Sequence, residues 1–363
     1  MRKCTNLLWS DLGETRDDEK ACVYWSKLHF SLPYPRIWVD YIRPALRDGD
    51  ALDLIRWGIY GSGYVARRFA ADLQRVDGAL LSGVSGRNAA TSKDLAKKYE
   101  AKFFPDLAAL LKSNIQVLYI ATPHSNHYPV ARAAIEAGKA VLCEKPITIS
   151  AEEASSLASQ ARERSTFLME AMWTCFLPTI QSLRERIRAG EIGKLQSIDT
   201  QIGFQAPFNR DSRLFRPDLG GGALLDLGVY CLALSDLVAG QQGQLIRSQV
   251  EVGGTGVDET TSWELAYPNS VTAVLRCTIS GNIANEAVIL GDRGMIRIPM
   301  FWKATEYELN QTVVSYPYEG FGFQFVAAHV MDCLRAGMIE SQIVPLSQSI
   351  HRMNMIDQIR RAQ

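Results

Sequence analysis

The chain has 363 residues, 47% hydrophobic and 21% charged, which is the balance of a soluble globular protein with room for two or three cores. Lysine plus arginine equals aspartate plus glutamate at 39 each, so no net field draws the chain to nucleic acid or to an acidic membrane, and neither is expected as a partner. No run of about 18 apolar residues can span a bilayer, and seven scattered cysteines without CxxC or metal-like spacing suit a reducing compartment.

Residues 1–54 stand outside the periodic pattern that follows. They mix Trp9, Tyr24, Trp25, Phe30, Tyr34, Trp38 and Tyr41 with three prolines and many charges. That is too apolar for a free tail and too irregular for a small domain. Two readings stay open: an arm packing on the body or on a neighbouring subunit, and an upstream extension ahead of a later, non-methionine start. The opening Met1-Arg2-Lys3 leads into acids without an apolar signal core, so the expected location is the cytoplasm.

From Ile55 the pattern is regular. Strands are predicted over 55–61, 79–85, 117–122, 140–143 and 167–171, with helices over 64–76, 89–99, 126–137 and 151–164. Alternation of this kind predicts βαβ units and a parallel, right-handed wound sheet. After Pro178 the texture changes. Helices are predicted over 180–189 and 220–238. Period-2 strands follow within 245–316, broken at Gly253-Gly254, Pro268-Asn269 and Asp292-Arg293-Gly294, and adjacent short strands favour antiparallel pairing. Helices over 322–336 and 346–362 close the chain.

Gly58-Ile59-Tyr60-Gly61-Ser62-Gly63-Tyr64-Val65-Ala66 follows a strand and opens a helix, the GxGxxA form of the dinucleotide fingerprint. Gly61 makes the tight turn, Gly63 lets the backbone approach pyrophosphate, and Ser62, Tyr64 and Val65 bring amides to the helix N-terminus. At the end of the second strand an NAD enzyme usually carries an acid for the ribose 2′-hydroxyl. Ser85 and Arg87 stand there instead, and a guanidinium can grip a 2′-phosphate with two donors. NADP is therefore expected, with NAD still possible, unless Arg87 simply faces solvent. Thr122, Pro123, His124 and His127 offer a hydroxyl and two imidazoles to the cofactor's ribose or nicotinamide side. Without a Cys, Asp or Glu companion at suitable spacing, the two histidines do not form a metal site. Ser125 or Asn126 is expected to cap the next helix.

Glu144-Lys145-Pro146 ends a hydrophobic strand, where chemistry gathers in an open parallel sheet. In Gly220-Gly221-Gly222-Ala223-Leu224-Leu225-Asp226-Leu227-Gly228-Val229-Tyr230, a helix puts Asp226 and Tyr230 on one face. Lysine, carboxylate and phenol form a proton-handling set for alcohol–carbonyl interconversion. A phenol is a poor base at neutral pH unless a cation lowers its pKa, and Lys145 is expected to do so while stabilising alkoxide charge. Trp173 is read either as an apolar wall beside the nicotinamide or as a core residue.

These motifs, in this order, resemble the Gfo/Idh/MocA oxidoreductases over roughly residues 55–361. Glu170-Ala171-Met172-Trp173-Thr174 and Arg213-Leu214-Phe215 look most like the branch of dimeric dihydrodiol dehydrogenases and NADP-dependent xylose dehydrogenases. Tyr230 stands where the inositol branch commonly has histidine. The resemblance implies an α/β Rossmann domain followed by an α+β domain with a large open, mainly antiparallel sheet, often used for back-to-back dimerisation. It implies that Lys145 binds the reacting oxygen, that Tyr230 moves its proton, and that Asp226 positions substrate or tunes Tyr230. Glu144, Lys145 and Trp173 also join the cofactor contacts. Lys145–Pro146 is often cis in such relatives.

The expected organisation is an extension (1–54), a dinucleotide-binding domain (55–175), a substrate-binding and oligomerisation domain (176–345) and a C-terminal helix (346–363). The expected function is an NADP-preferring oxidoreductase of a sugar or cyclic vicinal diol, working as a homodimer or higher oligomer. The alternatives are a nucleotide-deoxysugar ketoreductase, which would need a site for a diphosphate, and a silent cofactor-binding regulator, which would not need the Lys-Asp-Tyr set.

Overall fold

A computed structural model describes residues 54–362. The expected arm or extension over residues 1–54 lies, except for Leu54, outside the described ones. The first half runs β1 (Ile55–Tyr60), α1 (Tyr64–Leu73), β2 (Ala79–Ser85), α2 (Ala89–Lys98), β3 (Lys102–Phe103), α3 (Leu107–Leu111), β4 (Val117–Ile120), α4 (His127–Glu136), β5 (Ala140–Glu144), α5 (Ala151–Glu163) and β6 (Leu168–Ala171). Its six strands form one all-parallel sheet in the order β3-β2-β1-β4-β5-β6. Every residue of β4 and β5 is buried, as a sheet covered on both faces requires. In α1 the buried residues Ala66, Phe69, Ala70 and Leu73 recur at helical spacing and make the stripe that packs inward.

The second half runs α6 (Pro178–Arg188), β7 (Leu195–Gly203), α7 (Val229–Ala239), β8 (Gln244–Val252), β9 (Asp258–Ala266), β10 (Thr272–Thr278), β11 (Glu286–Gly291), β12 (Met295–Pro299), β13 (Glu306–Leu309), β14 (Thr312–Ser315), α8 (Phe323–Arg335) and α9 (Leu346–Arg361). Its eight strands pair in the order β14-β13-β12-β11-β7-β10-β9-β8, antiparallel except between β7 and β10. This is the open, mainly antiparallel sheet that was expected. Helix α7 lies against β7 and β10 and is buried over residues 229–238, so it forms the centre of this core. The opposite face of the sheet is open, with Val274, Leu290 and Met295 each more than 40% exposed.

Four elements depart from the periodic reading, the two-residue β3 among them. Strand β7 lies at the centre of the second sheet although 195–203 carries no clear alternation, because its inward Ile198, Thr200 and Ile202 include a hydroxyl. Helix α3 spans only five residues, too few to show a period. The helix expected over 220–238 starts instead with a glycine turn, continues as a single π-helical turn over Leu224–Gly228, and only then becomes α7. The stretch Pro217–Ala239 is long and apolar enough to cross a bilayer, contrary to the sequence expectation, but it is 94% buried inside the protein as a core element.

One carboxylate ties the halves together. Asp72, near the end of α1 and 1% exposed, accepts hydrogen bonds from Phe321 N and Phe323 N, both at 2.9 Å, at the start of α8. One turn earlier, the Arg68 guanidinium lies 3.8 Å from the Tyr64 ring centroid and 4.1 Å from that of Phe321.

Candidate active site

Strand β1 runs directly into the glycine turn. Gly61 has φ of 121°, and a Cβ there would lie 2.3 Å from the Ala121 carbonyl oxygen, so glycine alone lets β1 turn against β4. Gly63 has nothing within 4 Å of where a Cβ would sit, which leaves its backbone open to a ligand. No side chain caps α1, so the amides of its first turn, from Tyr64 and Val65 onward, point outward with the positive end of the helix. Ser62 Oγ is engaged with Thr91 Oγ1 at 2.6 Å and accepts from Ser92 Oγ at 3.1 Å. Arg87 is exposed, one residue before the Asn88 cap of α2.

Two hydroxyls flank this turn without partners. Ser85 Oγ, ending β2, and Thr122 Oγ1, just beyond β4, are buried and make no hydrogen bond. Buried hydroxyls seldom stay unpaired. A dinucleotide, rich in ribose and phosphate oxygens, fits an uncapped helix start, an open glycine and two orphaned hydroxyls.

The expected lysine, carboxylate and phenol do converge. Lys145, in the turn after β5 and followed by a cis Pro146, donates from Nζ to the Asp226 carbonyl at 2.6 Å and to Asp226 Oδ1 at 3.3 Å. The same ammonium lies 4.7 Å from the Tyr230 ring centroid. Arg213 is a fourth member, donating from Nη1 to Asp226 Oδ1 at 3.0 Å and from Nη2 to Oδ2 at 3.4 Å. Burial works against the Asp226 carboxylate, but Lys145 and Arg213 outweigh it and hold the group well below the usual carboxylate range. Burial also works against the Lys145 ammonium, and here Asp226 and Tyr230 prevail, so its pKa is raised.

One expectation is corrected here and another extended. Lys145 does pull the Tyr230 phenol down, but burial is the larger effect and the net shift is upward, leaving the phenol neutral. Trp173 is more than an apolar wall: its Nε1–H donates to the Tyr230 hydroxyl at 3.0 Å and fixes that oxygen. The indole is braced in turn by Phe323, with ring centroids 5.2 Å apart.

The remaining predicted residues sit around this centre. Glu144 is buried and accepts from the Tyr119 hydroxyl at 2.5 Å and from Lys145 N at 3.2 Å; burial raises its carboxyl to about 7 despite these donors. His124 donates from Nδ1 to the Gly220 carbonyl at 2.8 Å, and its Nε2 lies 3.8 Å from Asp226 Oδ1. Burial, offset in part by Asp226, lowers its pKa to about 3, so the ring is neutral. His127 has no exposed surface: its ring nitrogens face the carbonyls of Pro146 at 2.7 Å and Thr122 at 3.0 Å. It therefore clasps the two strand-end loops from behind and presents no nitrogen to the cleft. Pro123 leads the short 3-10 turn His124–Asn126, and Asn126 precedes α4 without making a side-chain cap.

Sequence reasoning passed over Arg213 and Tyr119 as site residues. Arg213 carried a signal in its position shortly before the triple glycine, and Tyr119 in being the one polar atom-bearer in the apolar run Val117-Leu118-Tyr119-Ile120. Among the described residues no group of three metal-ligating side chains comes together.

Two family models match in tandem: an oxidoreductase family with an NAD-binding Rossmann fold over residues 55–172, and the GFO/IDH/MocA C-terminal domain over residues 180–297. The chain belongs to the Gfo/Idh/MocA oxidoreductase family. It is 34% identical over 323 residues to the trans-1,2-dihydrobenzene-1,2-diol dehydrogenase of Mus musculus, covering 85% of this chain and 96% of that protein. The Homo sapiens enzyme of the same name is 32% identical over 327 residues, with the same coverage. Among solved structures, the chain shares its fold with aldose-aldose oxidoreductase from Caulobacter crescentus complexed with glycerol, at TM-score 0.77 and 20% identity over 85% of this chain and 97% of that one. Levoglucosan dehydrogenase in complex with NADH and levoglucosan matches at TM-score 0.78 and 17% identity, over 85% and 96%. As a family member the chain is a nicotinamide-dependent oxidoreductase acting on CH–OH groups.

Proposed function

We propose that the protein is an NADP-preferring dehydrogenase/reductase that interconverts alcohol and carbonyl on a sugar or cyclic vicinal diol. The observation that carries this reading is the Lys145 ammonium held between the Asp226 carboxylate and the Tyr230 ring at the strand-end turn. Asp226 takes up two of the three Lys145 donors, one through its carbonyl and one through its carboxylate, which leaves the third for the reacting oxygen. Tyr230, with its oxygen fixed by Trp173, gives a proton to that oxygen in reduction and takes one in oxidation. Lys145 stabilises the alkoxide charge that develops between those events. Bound nicotinamide supplies the hydride acceptor or donor. The turn at Gly61 and Gly63, with Ser85 and Thr122, would hold the dinucleotide, and Arg87 the 2′-phosphate.

The 30–34% identical diol dehydrogenases support the substrate class. The five described cysteines are all free and buried, which supports a reducing compartment such as the cytoplasm. The open face of the second sheet supports a homodimer. The alternative on nucleotide-linked sugars is less well supported, because Arg213 and Arg216 are already paired with Asp226 and Asp218. The test is an NADP(H)-coupled screen across aldoses, inositols, trans-dihydrodiols and nucleotide sugars. Turnover confined to nucleotide sugars, or no turnover with any class, would overturn the reading.

A further inference from the structure

We propose that the C-terminal helix α9, acting through the buried Arg352–Glu170 pair, positions the catalytic lysine. This rests on the reading of Lys145 as the ligand of the reacting oxygen. Glu170 lies in β6 with 0% exposure, and Arg352 lies in α9 with 1%. The two oxygens of Glu170 divide their work. Oε2 accepts from Arg352 Nη2 and from Ser349 Oγ, while Oε1 accepts from Ile147 N at 3.1 Å. Ile147 is two residues beyond Lys145, so Glu170 pins the far side of the catalytic turn to α9.

The same helix grips the chain further along. Arg360 Nη1 donates to the Ile149 carbonyl at 3.3 Å, and Asp357 Oδ2 accepts from Ala151 N at 2.9 Å. Segment 147–151 is therefore held at three points, two by side chains of α9 and one by Glu170, which α9 holds in turn through Arg352 and Ser349.

Stability does not account for this pair. Desolvating a guanidinium and a carboxylate together costs about as much as their attraction returns, and apolar residues of equal volume often do as well. Arg352 also leaves its Nε buried without a partner in order to reach Glu170. What the pair supplies is direction: a charged acceptor fixed at one point, aimed at one backbone amide beside Lys145. Arg352 and Glu170 touch neither substrate nor reacting atoms and are positioning residues.

The deciding measurement needs no substrate. In protein labelled with 13C-lysine, the Lys145 ε-resonance, assigned with Lys145→Arg, should be shifted upfield by the Tyr230 ring, whose centroid lies 4.7 Å from Nζ. Arg352→Met should move that resonance toward the bulk lysine position while the other lysines stay in place. Arg352→Lys, which keeps a cation facing Glu170, should restore it at least in part. Turnover of trans-1,2-dihydrobenzene-1,2-diol with NADP+ should follow, with kcat down tenfold or more in Arg352→Met, KM for NADP+ within twofold, and recovery in Arg352→Lys. Should Arg352→Met fail to fold, Ser349→Ala and Glu170→Gln are read in the same way. An unmoved Lys145 resonance in a folded variant overturns the proposal. Lys145→Ala separates the two claims: normal turnover there removes the mechanism, whereas its loss beside an undisturbed Arg352→Met removes only the brace.

Discussion

Tyr230 is held as a neutral phenol by its burial, even with an ammonium over its ring. That balance sets a direction. The protonated phenol is ready to donate, so reduction should proceed at a constant rate through neutral pH and fall only as Tyr230 ionises. Oxidation uses the deprotonated form and should accelerate as pH rises into the alkaline range. Lys145→Ala and Tyr230→Phe should each lower kcat by about 10² or more with little change in cofactor affinity, and Tyr230→Phe should also flatten both pH profiles. Near-normal turnover in both variants would remove the mechanism. Arg87 is proposed as a nucleotide selector because it stands in place of an acid. Arg87→Ala should weaken NADPH binding by roughly 1.5–3 kcal/mol and leave NADH almost unchanged; equal losses in a fluorescence titration would count against that role. By contrast, the indole donation from Trp173 to Tyr230 was hidden in the sequence. It links residues 57 positions apart, and no spacing rule connects two aromatic side chains across an unformed core.

The π-helical turn Leu224–Gly228 shows how an element can be misnamed and its consequence still foreseen. The four-residue spacing was read as α-helical, yet Asp226 and Tyr230 still reach the same lysine. The glycine turn and an acid set where the π turn begins. Gly222 has φ of 109°, and a Cβ there would fall 2.1 Å from Asp258 Oδ1. That same carboxylate accepts from Leu224 N, through Oδ2 at 2.6 Å, and caps the turn. Burial raises Asp258 to about 6 from an ordinary 3.8, against the hydrogen bonds that lower it. Between about pH 4 and 6 the folded protein keeps a proton that the unfolded chain has lost. Stability should therefore fall as pH rises through that window, by at most about 1.4 kcal/mol per pH unit. Asp258→Asn, which keeps an acceptor for Leu224 N, should flatten this slope between pH 4 and 6 in thermal melts, leaving the part that Glu144 contributes up to about pH 7; an unchanged slope would assign it to another group. Strand β7 was missed for a related reason. Its place at the centre of the sheet comes from pairing with β10 and β11, whose partner residues lie 75 to 96 positions later (Ser197 to Thr272, Leu195 to Gly291), and a window along the chain does not contain those partners.

At the scale of the molecule, the alternating first half announced its parallel sheet, and the period-2 second half announced its antiparallel one. What the pattern left open was which face of the second sheet stays uncovered. Val274, Leu290, Met295 and Val313 are exposed there beside the ion pairs of Arg297 with Glu286 and Glu308, and this is the face that the proposed second copy would cover. Val274→Glu with Leu290→Glu should convert a dimer to a monomer by light scattering while leaving NADPH binding intact; an unchanged mass would exclude this face as the contact.

The carboxylate of Asp72 joins amides 249 and 251 positions away in sequence to the last turn of the fingerprint helix. A nucleotide seated at the start of that helix would quieten α8 as well, though α8 belongs to the other half of the chain. The two should open and close to solvent as one cooperative unit. In hydrogen–deuterium exchange, NADPH should slow Phe321 and Phe323 together with residues 64–73, and Asp72→Ala should uncouple them, so that occupancy of one half is no longer heard in the other.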